Sequence, residues 1–126
     1  TYLKEIREMN FGDFENLTFK EISKKKTKKK ERLLSNNLTY KFPNGESLKE
    51  LYTRSIKTFN KILNNKGNIL IVSHGGVIGS ILTHVLSGSL ENYWSVEVKN
   101  ATLNTLVEKK DFLYLKHLNV LGGSLE

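Results

Sequence analysis

Cysteine is absent from the 126 residues, which excludes disulfides and thiolate metal ligation and leaves nothing that argues for an oxidising compartment. No apolar run approaches the ~18 residues that a membrane-spanning helix needs. The charged N-terminal stretch does not resemble a signal peptide, so the expectation is a cytoplasmic protein with no membrane association. Internal repeats are missing as well. The single proline, Pro43, stands in a turn sequence, Pro43-Asn44-Gly45. Acidic residues are in deficit, with 13 Asp and Glu against 20 Lys and Arg and a net charge of +7, which favours anionic partners. The excess is uneven, because Lys24-Lys25-Lys26-Thr27-Lys28-Lys29-Lys30 alone contributes six lysines. Aromatic interleaving and a helix-turn-helix pattern, either of which would point to nucleic acid, are both lacking. The run therefore reads as a solvated face, or as a lysine-lined funnel for phosphorylated small molecules.

What is present is enough for one domain with a modest core, spanning 1–126 and closing in Gly122-Gly123-Ser124-Leu125-Glu126 as a flexible tail. The organising stretch is Ile69-Leu70-Ile71-Val72-Ser73-His74-Gly75-Gly76. Its aliphatic, β-branched run predicts a short parallel strand buried on both faces. The glycines allow a tight turn, and Val77, Ile78, Ile81, Leu82, Val85 and Leu86 then take helical spacing up to a glycine stop at Ser87-Gly88. This strand–turn–helix unit puts His74 at a strand's carboxyl end beside a helix N-terminus, the corner where α/β sheets bind anions. A second helix is predicted from Glu46-Ser47-Leu48 to Leu63. Ser47 and Glu50 have capping-box spacing, and Leu48, Leu51, Tyr52, Ile56, Phe59, Ile62 and Leu63 form a core stripe. Thr18 and Glu21 predict another capped helix, running through Ile22 into the lysines, with a loop over Ser35 to Asn44. Asn10 to Asn16 reads as a loop packed by Phe11 and Phe14, Thr1 to Glu8 as a short strand or extended segment, and Leu90 to Trp94 as an amphipathic or loop segment. Asn100 to Val107 and Phe112 to Leu118 predict a hairpin turning at Glu108-Lys109-Lys110-Asp111. His84 and His117 read as structural, the first along a helix and the second in the last strand.

Four segments in this order resemble the histidine phosphatase superfamily, the phosphoglycerate mutase-like proteins that include sugar-phosphate, bisphosphate and α-ribazole phosphatases. They are Ile6-Arg7-Glu8-Met9-Asn10-Phe11-Gly12-Asp13-Phe14-Glu15; Pro43-Asn44-Gly45-Glu46-Ser47 with Arg54 downstream; Val72-Ser73-His74-Gly75-Gly76; and Asn100-Ala101-Thr102. The resemblance implies a three-layer α/β fold, a phosphoglycerate mutase-like sheet flanked by helices, here incomplete at the N-terminus. It implies a metal-independent phosphomonoester hydrolase that works through a phosphohistidine and needs no cofactor. Glu8 matches the general acid, preferred to Glu5 for its spacing to Gly12, and His74 matches the second histidine that binds the transferring phosphoryl group. Gly75 would lend a backbone N–H and Arg54 could bind phosphate, while Glu46 and Ser47 are expected to cap their helix. Asn16 stands where the family usually has glycine, which Asn tolerates in left-handed backbone.

No Arg-His-Gly motif precedes Tyr2, so the family's nucleophilic histidine and phosphate-clamping arginines lie outside this sequence. The strand they belong to would lie between Ile69–Ser73 and Thr102–Val107. The expected partners are a small phosphorylated substrate, together with a missing N-terminal segment or a second copy of the chain. A homo-oligomer stays open. Two other functions remain alongside the phosphatase: a non-catalytic binding or scaffold module, and a phosphoglycerate mutase.

Overall fold

A computed structural model of the chain describes residues 1–24 and 38–122. The lysine run from Lys25 to Lys30, the start of the Ser35 to Asn44 loop up to residue 37, and residues 123–126 of the expected tail lie outside the described residues.

Two helices make the centre. Helix α2, Leu48–Leu63, begins at a complete capping box: the Ser47 hydroxyl accepts from Glu50 N at 3.2 Å, and the Glu50 carboxylate accepts from Ser47 N at 2.8 Å. Its stripe of Leu48, Leu51, Ile56 and Phe59 is buried, with Leu51 fully so. Against it packs α3, Gly75–Ser87, through Val77 and Ile81, with Leu82 also buried. Helix α3 ends as its sequence requires, with Gly88 at φ 66° and its N–H on His84 O. The short helix α1, Phe19–Lys24, opens with a reciprocal Thr18–Glu21 box.

Glycines in α3 set how closely other elements approach. A Cβ on Gly76 would collide with the Glu8 carboxylate and come within 2.9 Å of the Leu51 side chain. One on Gly79 would stand 3.2 Å from the Tyr93 ring, carried by a 3₁₀ turn over Leu90–Ser95. The segment before α2 is packed by aromatic edges, with Phe11, Phe14 and Tyr40 all meeting the Phe42 ring at centroid distances of 5.1, 5.7 and 5.4 Å. Strands β1, Leu103–Lys109, and β2, Phe112–Val120, form an antiparallel hairpin whose turn residues Lys110 and Asp111 both have positive φ, as a two-residue loop demands. Leu106 and Leu113 bring the hairpin onto the helical core.

Two expectations change. Thr1 to Glu8 contains a 3₁₀ turn at Lys4–Ile6 rather than a strand. Ile69–Ser73 is extended but pairs with no other segment among the described residues. It is not buried on both faces: Leu70 and Val72 are 77% and 83% exposed, while Ile71 packs on the core. A parallel strand is buried on both sides only where a layer packs on each face, and among the described residues only the Ile71 side meets one. Among the described residues the sheet is the β1–β2 hairpin packed on the helices, in keeping with the incomplete, helix-flanked α/β sheet expected. No helix among the described residues is long and apolar enough to cross a membrane.

Candidate active site at the N-terminus of helix α3

The extended segment delivers His74 as the residue just before α3. Its backbone is extended (φ −112°, ψ 163°), its side chain makes no capping bond, and it is exposed. Around the Cα of Gly75, the first helical residue, a Cβ would meet nothing within 4 Å, so the approach to this helix end is open. Glu8 arrives from the other side. One carboxylate oxygen accepts from Met9 N at 2.8 Å, and the other accepts from Gly76 N at 3.3 Å. Ser73 donates its hydroxyl to Ile6 O at 2.6 Å, which ties the two chain segments together immediately before both residues. Glu8 is thus held at the end of α3 that His74 precedes.

Arg54 is placed differently from the phosphate contact expected of it. Nε and Nη2 donate to the two oxygens of Glu46 at 3.0 and 2.7 Å. Nη1 donates to Glu5 O and to Arg7 O, the latter at 2.9 Å, and Nη2 also donates to Glu8 O at 3.0 Å. All the guanidinium donors are therefore engaged by the protein. The side chain, 17% exposed, holds the backbone that carries Glu8. Glu46 does not cap the helix as expected, because Ser47 does. Instead it accepts from Asn10 N at 2.8 Å while its own N–H donates to Asn10 O at 2.9 Å. Burial acts to raise the Glu46 pKa. The Arg54 hydrogen bond, the Asn10 N–H and the charges of Arg54 and Arg7 together outweigh it, and the carboxyl ends below its ordinary value.

Beside Glu8 lies a cavity of about 230 Å³ lined by Phe11, Tyr40, Phe42, Tyr93 and Trp94, with Leu51 and Gly76 also on its wall. His74 is not part of that lining. Burial, and after it the negative charge of Glu8, raises the pKa of Tyr93. The cavity went unread in the sequence because its walls come from four separated segments, and only the Phe11–Phe14 cluster hinted at it. The remaining histidines lie elsewhere: His84 Nδ1 pairs with the Tyr52 hydroxyl at 2.7 Å, and His117 lies in β2.

The chain is similar to several known proteins. A protein of Hydrogenobacter thermophilus that bears a phosphoserine phosphatase name is 29% identical over 118 residues, covering 90% of this chain and 58% of that protein. The phosphoglycerate mutase-like protein 4 of Arabidopsis thaliana is 36% identical over 81 residues, covering 62% of this chain and 35% of that one. The α-ribazole phosphatase of Shigella flexneri superposes with a TM-score of 0.81 at 23% identity, covering 98% of this chain and 63% of its own. A mycobacterial glucosyl-3-phosphoglycerate phosphatase determined with inorganic phosphate superposes at 0.77 and 21% identity, covering 94% of this chain and 64% of its own. The chain spans less than two thirds of the length of these relatives. The family model described as histidine phosphatase superfamily (branch 1) matches residues 1–121, and the chain belongs to that superfamily and has its fold.

Proposed function

We propose that this chain supplies the general acid and the second histidine of a metal-independent phosphomonoester hydrolase that acts through a phosphohistidine. The nucleophilic histidine comes from a polypeptide segment outside these 126 residues. One observation carries the proposal: the Glu8 carboxylate rests on Gly76 N–H at the helix end where His74 is exposed and Gly75 is open.

In the first step the incoming imidazole nitrogen attacks phosphorus and the P–O ester bond breaks. Glu8 gives its proton to the departing oxygen, releasing the alcohol. In the second step water attacks phosphorus, the P–N bond breaks, and Glu8 takes back a proton, leaving inorganic phosphate and free imidazole. His74 and Gly75 N–H donate to the non-bridging oxygens, where a preorganised donor stabilises charge as it develops. The exposed Leu70 and Val72, on an extended segment without a ladder partner, support strand pairing with the segment that brings the nucleophile.

The test uses the protein that joins this chain to its Arg-His-Gly segment. Glu8→Gln is expected to lower kcat for an alkyl phosphate by about 10²–10⁴-fold, and to lower it much less for p-nitrophenyl phosphate, whose leaving group needs no proton. Chelation of metals should leave the rate unchanged. Equal turnover by wild type, Glu8→Gln and His74→Ala would reject the assignment. The isolated 126 residues should be inactive. A non-catalytic binding module is the second reading, favoured by the engagement of His84 with Tyr52 and the placement of His117 in β2. Acid-labile phosphate on the isolated chain would count against it.

A further inference from the structure

We infer that the phosphomonoester acted on at this site carries a flat aromatic leaving group bearing a hydrogen-bond acceptor, and that the cavity beside Glu8 selects it. The inference rests on the reading of Glu8 as the proton donor. A general acid must reach the bridging oxygen, so the group attached to that oxygen lies on the Glu8 side, where this cavity opens.

The chemistry of its wall is specific. Phe11, Tyr40, Phe42, Tyr93 and Trp94 present ring faces and edges, and Glu8 is the only charged residue among the described lining residues. No cation lines it, so a leaving group with a carboxylate would be desolvated beside Glu8 without compensation. A small polyol would lose its water hydrogen bonds against aromatic carbon for the same reason. An aromatic ring instead gains edge and face contacts at no such cost. The volume also fits: an apolar cavity of roughly 150 Å³ holds benzene, and about 230 Å³ accommodates one or two fused rings.

Tyr40 supplies a second, independent observation. Its hydroxyl is buried and finds no hydrogen-bond partner among the described residues, although Tyr40 lines the cavity. A buried, unpaired hydroxyl carries a desolvation cost, and a ligand acceptor would remove it.

The test uses the isolated chain and asks only about the cavity. Trp94 is the single tryptophan, so its indole N–H gives one unique signal in a ¹H–¹⁵N correlation spectrum. Titration with 1-naphthol should shift that signal saturably, and titration with glycerol should not. Trp94→Ala, at a position 62% exposed and therefore expected to fold, should weaken 1-naphthol binding measured by calorimetry about tenfold. Tyr40→Phe should weaken an acceptor-bearing ring such as 4-acetylphenol several-fold more than it weakens 4-ethylphenol. Absence of a 1-naphthol shift at millimolar concentration, or an equal shift from glycerol, overturns the inference. Because none of these probes contains phosphorus, that failure is separate from failure of the phosphatase reading, which Glu8→Gln kinetics decide.

Discussion

Replacing Arg54 with alanine removes a cation that joins Glu46 to the backbone on either side of Glu8. The magnitude follows from how much water reaches each acceptor. The carbonyls of Glu5 and Arg7 belong to exposed residues and recover hydrogen bonds from solvent. Glu46 does not: its side chain is 12% exposed, and it keeps only the Asn10 N–H as a donor. Removing one member of a buried charge pair costs about 3–5 kcal/mol, and partial access to water places Arg54→Ala near the lower end, about 3 kcal/mol. Lysine restores charge but not the fork, so Arg54→Lys should recover less than half of the loss. Urea unfolding of the isolated chain, followed by far-ultraviolet circular dichroism, measures both. Glu46 is held below its ordinary value of 4.5 in the folded state, so its contribution is present above that value and is lost as pH falls through the depressed one. The gap between wild type and Arg54→Ala should accordingly narrow below pH 4.5. A loss under about 0.5 kcal/mol, the range of an exposed ion pair, or a gap that widens in acid, would refute the reasoning.

Two further outcomes follow from the packing. Gly76→Ala would drive a Cβ into the Glu8 carboxylate, the flexible partner, so the Gly76 N–H bond should break and kcat of the complete protein should fall toward that of Glu8→Gln while the chain stays folded. Circular dichroism with alkyl phosphate kinetics would separate the two effects. Leu70→Lys and Val72→Lys, at positions 77% and 83% exposed, should leave the unfolding midpoint of the isolated chain unchanged but suppress self-association in sedimentation velocity, since lysine blunts an unpaired extended edge.

The helices were legible because their information is local. Ser47 with Glu50, the stripe from Leu48 to Phe59, and Gly88 at the end of α3 each declare themselves within a few residues, as does the hairpin with its Lys110-Asp111 turn. Glu8 and His74 were legible through spacing and resemblance, and the structure brings Glu8 to the helix end that His74 precedes. What escaped was set by partners far apart in the chain. Nothing near Glu46 announces that it will face Arg54 rather than cap α2, and nothing in Leu90–Ser95 announces that Tyr93 will lie over Gly79. The run Ile69–Val72 misled for the opposite reason. Its composition specifies a buried strand, but burial depends on a layer packed over each face, and the described residues cover only the Ile71 side.

Arg54 grips Glu5, Arg7 and Glu8 by their carbonyl oxygens, and every residue type has one. The clasp is therefore indifferent to which side chain stands at position 5 but sensitive to how many residues lead up to the acid. Drift in composition there leaves Glu8 in place, whereas a single inserted or deleted residue would rotate its carboxylate off the Gly76 N–H.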